Sequence, residues 1–132
     1  AELLPFRSGI EAGVEFIMAS HISAPNTPAG DTPASLSSYM LTDLLREQMG
    51  YQGLVITDAM NMGAISQQYS SAQAAVQAFQ AGADMILMPE NFTEAYNGIL
   101  QAVQSGQITQ ERLDTSVLRI LETKLEKFEK NP

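Results

Sequence analysis

The hydrophobic residues of this chain fall into short uninterrupted runs and into longer stretches with helical spacing. The clearest run is Leu54, Val55 and Ile56, which follows Gly53 and gives way shortly afterwards to Asp58. An apolar run without alternation is typical of a strand that is covered on both faces of a sheet. We therefore predict a buried parallel strand here, with Asp58 at its carboxyl end and a loop beyond it.

Two further apolar runs predict two further strands. Residues 14–19 are mostly apolar and lead towards His21, and residues 85–88 form the third run. We expect His21 to reach the same carboxyl-end rim of the sheet as Asp58. Asp84 lies at the amino end of the third run, and it is predicted to be structural because that end of the strands serves stability.

Helical spacing and capping residues predict five helices around these strands. The first helix ends at Gly13, the second extends from Ser35 or Ser37 to Met49, and the third extends from Ser70 or Ser71 to Gly82. The fourth extends from Asn91 or Thr93 to Gly106, and the fifth begins at Thr109. The fourth helix is predicted to turn inward Ala95, Tyr96, Ile99, Leu100 and Val103. In the fifth the apolar residues repeat at helical spacing, and they are Leu113, Val117, Ile120, Leu121, Leu125 and Phe128. Alternating helices and strands are typical of an α/β fold with a parallel sheet. The pattern alone is compatible with an open doubly wound sheet and with a segment of a barrel.

Composition narrows the classes of partner. The chain has 132 residues, 45% of them hydrophobic and 17% charged, which is typical of one folded domain. A formal net charge of -8 with seven basic residues argues against nucleic acid and anionic membrane surfaces as partners. No run is long enough to span a membrane, and the first residues lack the layout of a signal peptide. Because the chain has no cysteine and one histidine, we expect no disulfide framework, no thiolate metal site and no zinc centre.

Asp58 and His21 are the candidate chemical groups. Ligands of α/β folds bind outside the carboxyl ends of the strands, where both residues are expected. An Asp in this position equally fits a role in capping the following turn. The stretch Ser23–Pro33 is a loop with three prolines and a glycine, and loops of this length inside compact domains are often functional.

An ordered series of motifs resembles the glycoside hydrolase family 3 enzymes, and most closely their β-N-acetylglucosaminidase branch. The matching segments are residues 3–6 (LLPF), 12–14 (AGV), 17–22 (IMASHI), 33–37 (PASLS), 45–46 (LR), 50–53 (GYQG), 55–62 (VITDAMNM), 81–89 (AGADMILMP), 112–117 (RLDTSV) and 119–121 (RIL). Each segment is weak evidence alone. The complete series at family-like spacing covers almost the whole chain.

The resemblance implies that residues 1–132 form a single partial domain, the C-terminal three βα units of a (β/α)8 TIM barrel. Strands six, seven and eight would lie at residues 14–21, 53–58 and 84–89. Asp58 matches the catalytic nucleophile, which forms a covalent glycosyl-aspartate intermediate in a retaining glycosidase. In the N-acetylglucosaminidase branch the acid/base is a His paired with an Asp in an earlier loop, so that group is expected outside this chain.

The segment Thr57–Met62 favours terminal β-linked N-acetylglucosamine as the substrate, as in sugars derived from peptidoglycan or chitin, over the β-glucosides of the same family. His21 and Met60 are candidate sugar-binding residues, although a rim histidine satisfied by polar neighbours and core packing of Met60 are the alternatives. The resemblance implies a bacterial protein that uses no metal or organic cofactor. It leaves the compartment, cytoplasm or cell surface, open.

Two expectations concern the chain on its own. Since the resemblance places the acid/base group outside this chain, we expect the isolated chain to be inactive. A barrel segment also leaves two sheet edges open, so we expect the chain to self-associate or to pair with the missing barrel half. The other function classes are a catalytically idle assembly module and a signalling receiver domain with a phosphoacceptor Asp. The receiver needs acidic residues at the first strand and a Lys ending a late one, and neither Glu15–His21 nor Met85–Pro89 supplies them.

Overall fold

The computed structural model describes residues 2–130, without the side chains of residues 129 and 130. Along the chain lie helix α1 (Leu4–Glu11), strand β1 (Phe16–Ala19), a 3-10 helix (Ala34–Leu36), a π-helix (Tyr39–Gln48), strand β2 (Leu54–Thr57) and helices α2 (Gly63–Ser66), α3 (Ser71–Ala81), α4 (Phe92–Gln104) and α5 (Gln110–Lys130). This mixture of helices and parallel strands confirms the predicted α/β class. Within residues 2–130, no helix combines the length and the hydropathy that a membrane span requires.

The sheet consists of β1 and β2, which pair in parallel with Phe16 opposite Leu54. Strand β2 is buried along most of its length, as its unbroken apolar run predicts. Strand β1 is covered less well, because Phe16 and Met18 are 44% and 54% exposed. These two side chains form an exposed apolar surface on the sheet.

Residues 85–88 do not form a full strand, so the prediction of a third strand is wrong. Met85 makes a single parallel bridge to Ile56. Beyond it, the Leu87 N–H donates to the side-chain oxygen of Thr57 at 3.0 Å instead of to a backbone carbonyl. Met88 then adopts a left-handed conformation with φ 45°, which ends extended pairing. The segment still lies along the edge of β2.

The predicted helix over residues 35–49 also needs correction. It begins at Tyr39, after the separate 3-10 helix, and it is a π-helix. The π-helical hydrogen-bond spacing continues to its end, because the Met49 N–H donates to the carbonyl of Leu44, five residues earlier, at 3.0 Å. Gly50 follows with φ 70°, so the predicted glycine stop is confirmed.

Capping predictions for the next helices are confirmed. The hydroxyl of Ser70 accepts from the N–H of Gln73, whose side chain accepts from the N–H of Ser70, so α3 begins with a complete capping box. The side chain of Asn91 accepts from the N–H of Glu94 at 3.1 Å and caps α4.

The predicted inward face of α4 is partly wrong, and part of the apolar repeat of α5 is exposed. The exposed members are Tyr96, Leu100, Val117, Leu121, Leu125 and Phe128. Helix α4 instead approaches α3 through small residues, and a Cβ on Gly98 would lie 2.8 Å from that of Ala72. Helix α5 turns the polar side chains of Arg112, Ser116 and Arg119 inward, and much of its apolar repeat is left exposed.

The inward face of α5 surrounds Asp84, whose side chain is fully buried. Its Oδ2 accepts from Arg46 Nη2 at 2.7 Å and from the Val55 N–H at 3.0 Å. Its Oδ1 accepts from Ser116 Oγ at 2.6 Å and from Arg119 Nη1 at 3.0 Å. One carboxylate thus joins the π-helix, β2 and α5, which confirms the predicted structural role of Asp84.

A third guanidinium completes this arginine cluster of Arg46, Arg112 and Arg119. Arg112 Nη1 lies 3.9 Å from Asp84 Oδ1, and Arg112 Nη2 donates to the carbonyls of Phe79 and Ala83 at 2.9 and 2.7 Å. Burial lowers the pKa of both Arg46 and Arg112, and the charge of Asp84 acts in the opposite direction. The three guanidinium groups therefore share the carboxylate of Asp84 as their buried counter-ion.

Tyr51 gives the fold a pH dependence at high pH. The side chain is 2% exposed, and its hydroxyl donates to the carbonyls of Glu15 and Leu54 at 2.9 and 3.0 Å. Burial raises the pKa of Tyr51 from 10.0 to about 12. Because the fold holds the protonated phenol, its contribution is fully present below pH 10 and is lost as the pH rises towards 12, about 3 kcal/mol in all.

Urea unfolding at pH 8 to 12 measures this effect. The free energy of unfolding of the wild-type chain is expected to fall more steeply above pH 10 than that of Tyr51→Phe. At pH 8 the variant should be less stable by about 1 to 3 kcal/mol, because the buried carbonyls of Glu15 and Leu54 lose a donor. Parallel pH curves for the two proteins would contradict the prediction.

Candidate active site

Asp58 follows β2 directly and is half-buried at the carboxyl end of the sheet. Its N–H donates to the carbonyl of Ala19 at 2.8 Å, which extends the pairing with β1 by one residue. Its Oδ1 accepts from the N–H of Ala59 at 2.7 Å. The backbone therefore fixes one carboxylate oxygen, and no other hydrogen bond to this carboxylate is found among the described residues.

His21 lies at the same rim, as predicted. Its Nε2 is 3.0 Å from the carbonyl oxygen of Ala59, and its Nδ1 is 2.7 Å from Ser35 Oγ. Both ring nitrogens are engaged, so the imidazole is a rim histidine satisfied by neighbouring polar groups. Its role in sugar binding stays a prediction.

The loop after Asp58 is also held from its other side. The N–H of Met60 donates to the carbonyl of Leu87 at 2.9 Å, and the N–H of Asn61 donates to that of Met88 at 3.1 Å. The left-handed conformation of Met88 orients this acceptor. Sequence reasoning missed this support, because a methionine carries no signal for a positive φ.

Met60 does not lie open at the rim. Its side chain is 3% exposed and belongs to the main hydrophobic cluster with Val55 and Ile65. The structure gives this residue the core-packing role that was the alternative to sugar contact. A role of Met60 in sugar binding therefore stays a prediction, and its packing would act through the shape of the loop.

The loop Ser23–Pro33 is ordered by its own hydrogen bonds. The Thr27 N–H donates to the carbonyl of Ala24 at 2.9 Å, the Gly30 N–H to that of Thr27 at 3.0 Å, and Ala24 and Gly30 form an isolated antiparallel bridge. Gly30 has φ 58°, a conformation that suits glycine. This loop leads into the 3-10 helix that carries Ser35.

Chemically, the rim offers one carboxylate with an oxygen free to act on a ligand. His21 is committed to Ser35 and Ala59 and is poorly placed to donate a proton to a substrate. In residues 2–130, no cluster of three or more acidic or histidine side chains is arranged to hold a metal ion. Cavities of about 640 and 590 Å³ lie beside α3 and α4 and along α5, and neither is lined by Asp58 or His21.

Comparisons with known proteins agree on one family. Residues 1–123 match the family described as the glycosyl hydrolase family 3 N terminal domain. The β-N-acetylglucosaminidase/β-glucosidase of Cellulomonas fimi is 34% identical over 90% of this chain and 23% of its own length. β-Hexosaminidase A of Pseudoalteromonas piscicida is 34% identical over 94% of this chain and 24% of its own length.

A solved structure gives the same result. The glycoside hydrolase family 3 β-N-acetylglucosaminidase from Paenibacillus sp. str. FPU-7 superposes with a TM-score of 0.90 and 44% identity, over 94% of this chain and 24% of that chain. The chain thus spans about a quarter of the length of the relatives it matches. Because residues 1–123 match this family and the relatives share its sequence and structure, the chain belongs to glycosyl hydrolase family 3, within the N-terminal domain of that family.

Proposed function

We propose that this chain is the nucleophile-bearing part of a longer retaining glycosidase that removes terminal β-linked N-acetylglucosamine. The observation that carries the proposal is the geometry of Asp58. Its carboxylate stands at the carboxyl end of a buried parallel strand with Oδ1 fixed by a backbone N–H at 2.7 Å. Such fixation holds a nucleophile in one orientation before the substrate arrives.

In the proposed reaction the free oxygen of Asp58 attacks the anomeric carbon of the bound sugar. The bond from that carbon to the glycosidic oxygen breaks, and the leaving oxygen takes a proton from an acid supplied by another part of the polypeptide. The product is a glycosyl ester on Asp58. A water molecule, deprotonated by the same group, then attacks the anomeric carbon from the opposite face and restores the β configuration with Asp58 free.

The substrate assignment is supported by the relatives. Those from Pseudoalteromonas piscicida and Paenibacillus carry hexosaminidase or N-acetylglucosaminidase names, and the one from Cellulomonas fimi carries both N-acetylglucosaminidase and β-glucosidase. The segment Thr57–Met62 also favours the N-acetyl branch by its resemblance. A β-glucoside is the second candidate substrate, and sugars from peptidoglycan or chitin are the proposed natural source.

The proposed architecture is the last three βα units of a (β/α)8 barrel. Two parallel strands and the adjoining segment at residues 85–88 would be strands six to eight. The exposed side chains of Phe16 and Met18 on β1 support this placement, because side chains that strands turn into a barrel are packed in its interior once the barrel is closed. The proton donor of the first step would come from the remaining units.

The stereochemistry of the reaction tests the proposal directly. In the full-length polypeptide that carries this chain, hydrolysis of 4-nitrophenyl N-acetyl-β-glucosaminide, followed by proton NMR, should release the β anomer first. A slow fluorinated N-acetylglucosaminide should add one sugar mass to the peptide containing Asp58. Initial release of the α anomer, or labelling of a different residue, would overturn it. The ratio of kcat/KM for the N-acetylglucosaminide and the glucoside separates the two substrates.

The exposed apolar surfaces predict that the 132-residue chain self-associates. In sedimentation velocity at micromolar concentration, the chain should sediment faster than a 14.3 kDa monomer. Replacing both Leu121 and Leu125 on the outward face of α5 by Lys should shift it towards monomer. As a control, Glu122→Lys changes charge beside the same stripe and should leave association intact. A monomeric wild-type chain would contradict the prediction.

A further inference from the structure

We propose that His21 is a positioning residue that holds the peptide after Asp58, and through it the nucleophile, in its working orientation. This inference rests on the proposed function for its catalytic consequence. The hydrogen-bond arrangement from which it follows is independent of that function. The key contact is His21 Nε2 at 3.0 Å from the carbonyl oxygen of Ala59.

This contact fixes the tautomer of the ring. A carbonyl oxygen can only accept, so Nε2 must carry the hydrogen. In the neutral imidazole Nδ1 is then an acceptor, and it takes the hydrogen of the Ser35 hydroxyl across 2.7 Å. The Ser35 hydroxyl therefore stabilises the form of His21 that the Ala59 carbonyl requires.

Ser35 is itself immobilised. Ser35 is 0% exposed, and its N–H donates to the carbonyl of Ser20 at 3.0 Å. The neighbouring N–H of Ala34 donates to the carbonyl of Ile22 at 2.8 Å. The 3-10 helix is thus tied by backbone hydrogen bonds to both sides of His21, and the imidazole has a rigid support.

The contact completes a brace across the peptide that joins Ala59 and Met60. The carbonyl of this peptide accepts from His21, and its N–H donates to the carbonyl of Leu87 at 2.9 Å. The preceding peptide provides the Ala59 N–H that holds Asp58 Oδ1 at 2.7 Å. Loss of the His21 contact releases one side of the brace, so the N–H that orients the carboxylate is free to tilt.

Two substitutions separate this role from simple packing. His21→Gln places an amide nitrogen near the position of Nε2 and retains a donor for Ala59. His21→Asn places its amide near Nδ1, where it meets Ser35 but does not reach Ala59. Both replace an imidazole by a neutral amide of one class, so they form a matched pair.

On the 132-residue chain, NMR gives a reading that needs no activity. The ring nitrogens of His21 at pH 8 should show a protonated Nε2 and an unprotonated Nδ1. Hydrogen exchange of the Ala59 amide should accelerate at least about tenfold in His21→Asn and stay near wild type in His21→Gln. A ring protonated at Nδ1 alone, or equal exchange in both variants, would overturn the proposal.

In the full-length enzyme, His21→Asn is expected to lower kcat about 100-fold with little change in KM, since a displaced nucleophile impairs the chemical step. His21→Gln should recover kcat to within about threefold of wild type. A higher KM with unchanged kcat in His21→Asn would assign the residue to sugar binding and overturn the positioning role. If sugar labelling misses Asp58, the proposed function fails, whereas the amide exchange of Ala59 still decides whether His21 holds the loop.

Discussion

Replacing Asp58 by Asn in the full-length enzyme is expected to reduce kcat at least about 10⁴-fold while the protein stays folded. The amide has nearly the shape of the carboxylate and still accepts from the Ala59 N–H. It lacks the negative charge needed to attack the anomeric carbon. The initial rate with 4-nitrophenyl N-acetyl-β-glucosaminide measures the loss, and circular dichroism checks the fold.

Asp43→Asn is the matched control for this experiment. Asp43 is an exposed carboxylate on the π-helix, so the same chemical change there should leave kcat near its wild-type value. Addition of azide, a small external nucleophile, should restore bond cleavage in a variant in which Asp58 is replaced by Ala. Retention of more than about a tenth of wild-type kcat in the Asn variant would refute the nucleophile assignment.

The largest loss of stability is expected at the opposite end of β2. Asp84→Asn removes the single negative charge that the three arginines share, while it conserves the volume of the side chain. Breaking a buried ion pair from one side leaves its partner uncompensated, at a cost of about 3 to 5 kcal/mol. Since a domain is stabilised by about 5 to 15 kcal/mol in total, the chain would lose a large part of its stability.

Urea unfolding of the 132-residue chain measures this difference. Asp114→Asn is the control, because Asp114 is an exposed acceptor of the Gln110 amide on the same helix as two of the arginines. Its loss should stay below about 1 kcal/mol. Equal effects of the two substitutions would show that the buried position of Asp84 is not what matters.

The local elements that the sequence predicted correctly are those with a local cause. An apolar run ending at Asp58 was enough to predict β2 and the position of its carboxylate. Gly50 with φ 70° ended its helix because an L side chain rarely adopts that conformation. Ser70 with Gln73 formed the capping box that their spacing indicates.

The failures have a non-local cause. Leu121 and Leu125 in the apolar repeat of α5 are exposed, because the contacts of Asp84 with Arg112 and Arg119 turn the polar face of the helix towards the interior. No local pattern links a carboxylate at position 84 to cations 38 residues before it and 35 after it. The π-helix was missed for a related reason, since the spacing of its leucines fits an α-helix equally well.

The candidate site divides in the same way. Asp58 and His21 were predicted to share a rim because strand ends are ordered by the fold class. The contacts that define the role of His21, to Ser35 and to Ala59, are separated from it by 14 and 38 positions. Only the folded chain brings those three residues together.

The two ends of β2 have different roles, and their separation bears on which substitutions the fold tolerates. Asp84 and the arginine cluster hold the π-helix and α5 against one end of the strand, while the loops that carry His21 and Asp58 lie at the other end. Substitutions at the rim that carries His21 and Asp58 are therefore expected to leave the contacts of Asp84 intact.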